Sequence, residues 1–300
     1  MRARGRADVT GKVVLITGAA RGIGAEVARR LARQGARLAL VGLEGEQLRE
    51  VAAQCGGDAA AWEADVTDPA ALEHAVAGVV ERFGGIDVVV ANAGIAATGF
   101  VRSIDPAAFD RVIEVNLLGV WRTVRACLPQ LIERRGYCLV VSSLASIVHV
   151  PGNAAYSAAK AGCEAFANSL RAEVRHLGVD VGVAYFSWIS TDMVNSADQH
   201  PVFGPIRTGM PGLASRTYPV SAVGKAVVGG IARRSKSVYV PGWIGALKLF
   251  RALAPGVVDR QAAKFVPAAD KAAVRDIEER GAEAASRPVG PGGAAAVGGS

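Results

Sequence analysis

The chain runs to 300 residues, 51% of them hydrophobic and 20% charged, with a formal net charge of +7. That length buries a substantial core as one large domain or two smaller ones, and no apolar run approaches the ~20 residues that span a bilayer. The basic start Met1-Arg2-Ala3-Arg4-Gly5-Arg6 is followed only by the short apolar stretch 13–17, too brief for the core of a signal peptide. Four scattered cysteines (Cys55, Cys127, Cys138, Cys163), with no Cys-x-x-Cys spacing and no clustered histidines, argue against a metal site or a disulfide framework and suit a reducing cytoplasm. Arginines dispersed along helix faces (Arg29, Arg30, Arg33, Arg49), without interleaved aromatics, read as solvated surface rather than a nucleic-acid interface.

Short Val/Ile/Leu runs alternate with Ala/Arg/Glu-rich periodic stretches, the pattern of an α/β fold whose parallel sheet is covered by helices on both faces. Residues 12–17 read as a buried strand, followed at once by a glycine turn and by a helix over 23–34 that Gly35 stops. A strand over 37–41, a helix over 46–54 and a strand over 59–64 come next. Asp68-Pro69 caps a helix reaching Phe83, and 86–91 is a fourth strand ending in Asn92-Ala93-Gly94. One long helical pattern fills 109–135, ended by Gly136, and 137–142 is a fifth strand. A helix over 154–177, a strand over 179–185, a loop with short helical pieces over 190–220, a helix over 221–234 and a strand over 238–240 complete the pattern. This organisation predicts a flexible basic arm over 1–8, a single domain over 9–265 that includes the apolar segment 240–265, and an extension over 266–300. The extension is Gly/Ala/Pro-rich from about Gly281, where the composition predicts disorder.

Thr17-Gly18-Ala19-Ala20-Arg21-Gly22-Ile23-Gly24 joins the first strand to the first helix. Glycines there let the backbone approach a pyrophosphate, which helix N–H groups and the positive helix end would hold. The spacing departs from Gly-x-Gly-x-x-Gly, and a tight strand-to-helix turn is the plainer alternative. Asp65-Val66 and Asn92-Ala93-Gly94 follow the third and fourth strands at their carboxyl ends, where ligands bind in open sheets. Tyr156 and Lys160 stand four apart on a helix and so share a face, about 5–6 Å apart at Cβ. A free phenol titrates near 10, and a neighbouring ammonium favours its ionised form, which makes it a usable general acid or base. Taken alone, the pair more often means a half-buried tyrosine beside a solvated lysine.

In their order and spacing, Thr17-Gly18-x-x-x-Gly22-x-Gly24, Asp65-Val66, Asn92-Ala93-Gly94, Asn116 in Glu114-Val115-Asn116-Leu117, Ser142-Ser143 and Tyr156-x-x-x-Lys160 resemble the short-chain dehydrogenase/reductase superfamily in its single-domain form, across residues 9–245. The resemblance implies a Rossmann-type, doubly wound, mainly parallel seven-stranded sheet. It also implies NAD(P)-dependent hydride transfer to or from a carbonyl or alcohol, by a homodimer or homotetramer. Carried onto this chain, Gly18, Gly22 and Gly24, with Ile23 on the same turn, would cradle the pyrophosphate. Asp65 and Val66 would contact adenine, Asn92 with Ala93 and Gly94 would lie against the adenosine ribose, and Ile189 and Thr191 would flank the nicotinamide. Ser143, thirteen residues before Tyr156, would hold the substrate oxygen and Tyr156 would protonate it. Lys160 would favour the phenolate and bind the nicotinamide ribose, and Asn116 would position a water that relays protons to Lys160.

Cofactor choice falls at the end of the second strand, where an acid bonds a ribose 2′-hydroxyl and an arginine accommodates a 2′-phosphate. Here the residues are Gly42-Leu43-Glu44, and Arg21 stands just before Gly22. Arg21 favours NADP and Glu44 argues for NAD, so the expectation is NADP with NAD as the alternative. One departure from the family pattern is Phe186-Ser187, where Pro-Gly is usual; Ser187 lacks glycine's freedom at positive φ, and Phe186 does not fix φ as proline would.

Pocket candidates are Ile95, Ala96, Ala145, His149, Val150, Tyr185 and the loop 193–218, mostly apolar, which suggests a lipophilic carbonyl or alcohol. His149 reads as an edge histidine more readily than as a polar specificity group. Segment 241–253 is an apolar helix punctuated by Lys248 and Arg251. It is expected to pack over the pocket or against a second subunit, or else to make weak peripheral contact with a membrane through Trp243 and Phe250. Two other functions fit less of the chain: a catalytically silent dinucleotide sensor or scaffold, and a nucleotide-sugar epimerase.

Overall fold

The computed structural model describes residues 9–210 and 212–298; the basic arm expected over 1–8 lies outside them. Strand β1 (Val13–Thr17) runs into α1 (Gly22–Ala32), then β2 (Arg37–Gly42), α2 (Gly45–Cys55), β3 (Ala59–Glu63) and α3 (Pro69–Phe83). Asp68 caps α3 as its sequence position predicts, accepting from the N–H groups of Ala70 and Ala71. The second half continues with β4 (Val88–Ala91), α4 (Pro106–Ile113), α5 (Gly119–Glu133), β5 (Tyr137–Val141), α6 (Ala154–Val174) and β6 (Asp180–Phe186). Next come α7 (Asp192–Gln199), α8 (Phe203–Thr208), α9 (Val220–Ala232) and β7 (Ser237–Val240).

The seven strands form one parallel sheet in the order β3-β2-β1-β4-β5-β6-β7. The chain winds outward from β1 to β3, then restarts at β4 on the other side of β1. The crevice between the carboxyl ends of β1 and β4 is therefore a topological switch point, the place where ligands enter such sheets. Burial on both faces explains the near-continuous apolar strands. One apolar cluster, including Leu15, Val89, Val140 and Leu170, fills one side of the sheet, and a second, including Ile16, Leu40, Leu139 and Val227, fills the other.

Two expected elements differ from those observed. The helix expected over 109–135 is broken into α4 and α5 by a π-helical turn at Glu114–Leu118 that carries Asn116. The C-terminal region departs further. After α10 (Trp243–Leu249), the helix α11 (Ala254–Arg280) runs through the domain boundary expected at 265. Arg102 pins it through a bidentate pair with Asp270, at 2.9 and 2.5 Å. Where composition predicts disorder from Gly281, the structure forms α12 (Ala282–Ser286) and α13 (Gly290–Gly298). Tertiary contacts hold them, since Ala285, Val289 and Ala296 are buried, the Ser286 hydroxyl accepts from Asp105 N–H at 3.0 Å, and Val289 N–H donates to Ala96 C=O at 2.8 Å.

Segment 241–253 turns its cations inward. Lys248 and Arg251 both meet the buried carboxylate of Glu164, at 2.9 and 3.0 Å, and Arg251 also donates to Ser146 C=O at 3.1 Å. Trp243 packs on the core beside the fully buried Ile244, while Leu249, Phe250 and Leu253 remain exposed. The two cations share that one carboxylate, and Arg251 stays half-exposed. Among the described residues, no helix is long and apolar enough to cross a membrane.

Candidate active site

A cleft of about 220 Å³ opens at the switch point. Its floor begins with the glycine turn between β1 and α1. Gly18 and Gly22 hold φ of +64° and +53°, a region L side chains rarely adopt. Gly24 is needed for space: a Cβ there would lie 2.9 Å from Ala19 Cα and 3.0 Å from Asn92 Nδ2. The Asn92 amide ties the turn to β4, donating to Thr17 C=O at 3.0 Å and Gly18 C=O at 3.2 Å, while Thr17 Oγ1 accepts from Asn92 N–H. Asn92 thus shapes the cradle from beneath.

One end of the cleft is walled by Asp65 and Val66 after β3 and by Ala93 and Gly94 after β4. Arg111 on α4 donates to Asp65 at 2.9 Å and to Thr67 Oγ1 at 3.0 Å. Burial pushes the Asp65 carboxyl up, but hydrogen bonds from Thr67 and Arg111 outweigh it and hold the group below the usual carboxylate range. At the end of β2, Arg21 is not free: its guanidinium pairs with Glu44 at 2.9 Å and faces Asp192 at 3.8 Å.

Toward the other end, Ser143, Tyr156 and Lys160 share one stretch of the cleft wall. Tyr156 and Lys160 project from the first turns of α6, with the Lys160 ammonium 5.6 Å from the Tyr156 ring centroid. Lys160 is buried and donates to Val141 C=O at 2.9 Å, which fixes it against the end of β5. The Ser143 hydroxyl donates to Phe186 C=O at 3.3 Å and accepts from Ala145 N–H at 3.1 Å. Ser142 is structural, bonding Lys160 C=O at 2.9 Å. Asn116, fully buried, grips Ile95 at both ends of its amide, at 2.7 and 2.8 Å. Its main-chain carbonyl, presented by the π-helical turn, accepts from the Cys163 thiol at 2.9 Å.

Ile189 and Thr191 line the cleft as expected. Ser187 lies beside them without positive φ, so the missing glycine imposes no strain. Its Oγ is buried and has no hydrogen-bond partner. An orphaned hydroxyl in this wall, together with a turn that excludes any Cβ at Gly24, is what a nicotinamide dinucleotide would satisfy.

Not every expected pocket residue reaches the cleft. Tyr185 is fully buried in the core, stacked on Tyr239 at 5.2 Å and hydrogen-bonded by Lys248. It is a structural residue, because side chains alternate along β6 and Phe186, not Tyr185, turns to the cleft. His149 is exposed outside the cleft, and Ala145 acts through its N–H on Ser143 without lining the space. Of the loop 193–218, Met193 and Val194 line the cleft. Residues that sequence reasoning missed include Ser187, Asp192 and a group from the C-terminal tail: Val289, Gly290, Gly292, Gly293 and Ala296. Glycine-rich composition signalled disorder there, and only the tertiary contacts reveal otherwise.

Fold, switch-point cleft and glycine turn together define a nicotinamide-dinucleotide oxidoreductase of the Rossmann type. The short chain dehydrogenase family model matches residues 12–201, and the chain belongs to that family. It is 37% identical over 213 residues, 65% of this chain and 77% of the relative, to an uncharacterized NAD-dependent oxidoreductase of Mycobacterium tuberculosis. Dehydrogenase/reductase SDR family member 7B of Bos taurus is 31% identical over 268 residues, 86% of this chain and 82% of the relative. Oxidoreductase UcpA of Salmonella typhimurium is 36% identical over 193 residues, 63% of this chain and 73% of the relative. The protein is an NAD(P)-dependent oxidoreductase.

Proposed function

We propose that this oxidoreductase interconverts an apolar ketone or aldehyde and its alcohol. The observation that carries the reading is the convergence of Ser143, Tyr156 and Lys160 on one wall of a cleft whose other end is a dinucleotide cradle. When bound, the dinucleotide supplies or accepts a hydride at the substrate carbon. The Ser143 hydroxyl, positioned by Ala145 N–H, turns from Phe186 C=O to donate to the substrate oxygen. Tyr156 gives that oxygen its proton in reduction and removes it in oxidation. The Lys160 ammonium, held on Val141 C=O, stabilises the phenolate that remains. Asn116 is a positioning residue: its grip on Ile95 sets the loop carrying Gly94, where a Cβ would lie 3.1 Å from Asn116 Oδ1 and 3.5 Å from Lys160 Nζ. Ile95, Phe186, Met193 and Val289 give the substrate end an apolar lining.

The cofactor best supported is NAD rather than NADP. Arg21 alone favours a 2′-phosphate, but Glu44 holds it at 2.9 Å, and a phosphate entering there meets that carboxylate. The NAD-dependent name of the mycobacterial relative points the same way. Titration with NADH and NADPH tests the choice: NADH should bind at least tenfold tighter, Glu44→Ala should close most of that gap, and tighter NADPH binding by the intact protein overturns it. For the assembly, a homo-oligomer remains the reading, supported by the exposed apolar side chains Leu249, Phe250 and Leu253 and measurable by light scattering.

A carbonyl panel with reduced cofactor tests the reaction. Turnover that disappears in Tyr156→Phe, with NADH still bound, supports the mechanism; turnover retained in that variant removes it.

A further inference from the structure

The cleft has a floor made by the sheet and a roof made by the end of the chain. Helix α13 crosses from one lip to the other. At one lip, a Cβ on Gly290 would lie 3.2 Å from Met193 Cα, and one on Gly292 would lie 3.9 Å from Glu44 Oε1 and 4.0 Å from Arg21 Cδ. At the other, Arg111, the residue that holds Asp65, donates from Nε to Ala296 C=O at 2.9 Å. Between the lips, Gly292, Gly293 and Ala296 face the glycine turn and Val66 across open space. A segment that filled the site would leave no such space; this one encloses it.

From this geometry we propose that residues 290–296 form the outer wall of the dinucleotide site, closing over the adenosine half of the bound cofactor and retarding its exit. The inference rests on the oxidoreductase reading above. Its physical basis is twofold. The face toward the cleft is glycine and alanine, so the backbone approaches the ligand closely while leaving it room. The same composition makes the helix weak: Gly292 and Gly293, inside it, each cost about 1 kcal/mol relative to alanine, and a nine-residue helix is too short to stand alone. Among the described residues it is held from outside, by packing against α7, by burial of Val289, Gly293 and Ala296, and by hydrogen bonds at Val289 and Ala296. A weakly held cover opens locally without unfolding the domain.

Three proteins test it: the intact chain, a chain ending at Ser286, and Gly292→Phe. The truncation keeps the Ser286 and Ala285 contacts to the body. The Phe substitution places a ring in the cleft from a position with no neighbour closer than 3.9 Å to its Cβ. NADH dissociation is timed by stopped-flow displacement with excess NAD, affinity by fluorescence titration, and folding by thermal unfolding. Truncation should raise the NADH dissociation rate at least tenfold, and Gly292→Phe should weaken NADH binding about tenfold at an unchanged Tm. If the truncated chain fails to fold, the Phe variant alone decides. Unchanged dissociation in the truncation, or unchanged affinity in Gly292→Phe, overturns the proposal. Tighter NADH binding on truncation also overturns it, because the tail would then be a plug. An intact chain that binds no dinucleotide instead overturns the oxidoreductase reading beneath it.

Discussion

The floor of the cleft consists of strand ends buried on both faces and a turn in which Gly18 and Gly24 leave no room for a Cβ, whereas its roof is a short glycine–alanine helix held by packing against α7 and by hydrogen bonds near its ends. On the proposed mechanism the floor must keep Ser143, Tyr156 and Lys160 in register through a reaction, and dense packing resists small displacements. The roof must let a large anion in and out, which requires a low opening cost. Changes to the floor should therefore move rate or global stability, and changes to the roof should move exchange of the cofactor and little else.

Four measurements break or sharpen that contrast. Tyr156→Phe should lower turnover by about 10²–10⁴-fold, the usual worth of a positioned proton donor, while Tm and NADH affinity stay within error. Next in size is Gly24→Ala, which forces the turn away from Ala19 and Asn92; thermal unfolding should show a loss of about 1–3 kcal/mol, with NADH binding lost in parallel. A Gly24→Ala protein of unchanged Tm would show the floor to be more pliant than the roof.

Glu164→Gln probes the clasp under α6, one turn beyond Lys160. Burial pushes the Glu164 carboxyl up, but Lys248 and Arg251 outweigh it and hold it below its ordinary value of 4.5. A depressed carboxylate contributes stability that is fully present above that ordinary value and is lost as pH falls through the folded-state value. The native protein should therefore lose stability below about pH 4.5, and Glu164→Gln should flatten that loss. At pH 7 the variant should be weaker by about 1–3 kcal/mol, less than a fully buried pair would lose, because Arg251 is half-exposed. Smallest of all is Ser187→Ala. Removing an unpartnered buried hydroxyl should leave the free protein as stable or slightly more so, and should weaken NADH binding about five-fold, one hydrogen bond's worth. NADH affinity unaltered in that variant would leave the nicotinamide end without its proposed partner.

The contrast also explains what could be read from the chain. The floor was legible because its chemistry sits at fixed offsets: glycines at the end of a strand, Ser143 thirteen residues before Tyr156, Lys160 one turn on. Tyr185 was misread because strands buried on both faces show no alternation to say which side chain meets the cleft. Spacing places Arg21 beside the glycine turn but cannot show that Glu44, 23 residues on, folds back onto it. The break at Asn116 was hidden inside an unbroken helical pattern. The roof was illegible for a different reason: local composition favours no structure there, and the partners that hold it, Ala96 and Arg111 among them, lie far away in the chain.

Val289, where the tail turns into the cleft, shares a small apolar cluster with Ala197 and Phe203, against which Trp188 packs. Trp188 meets Phe203 edge-on at 6.2 Å, and its indole N–H bonds Ala214 C=O at 2.8 Å. The protein thus carries a native fluorophore at the hinge of its own cover. With Trp62, Trp121 and Trp243 replaced, emission from Trp188 would follow each departure of Val289 in real time, without any attached label.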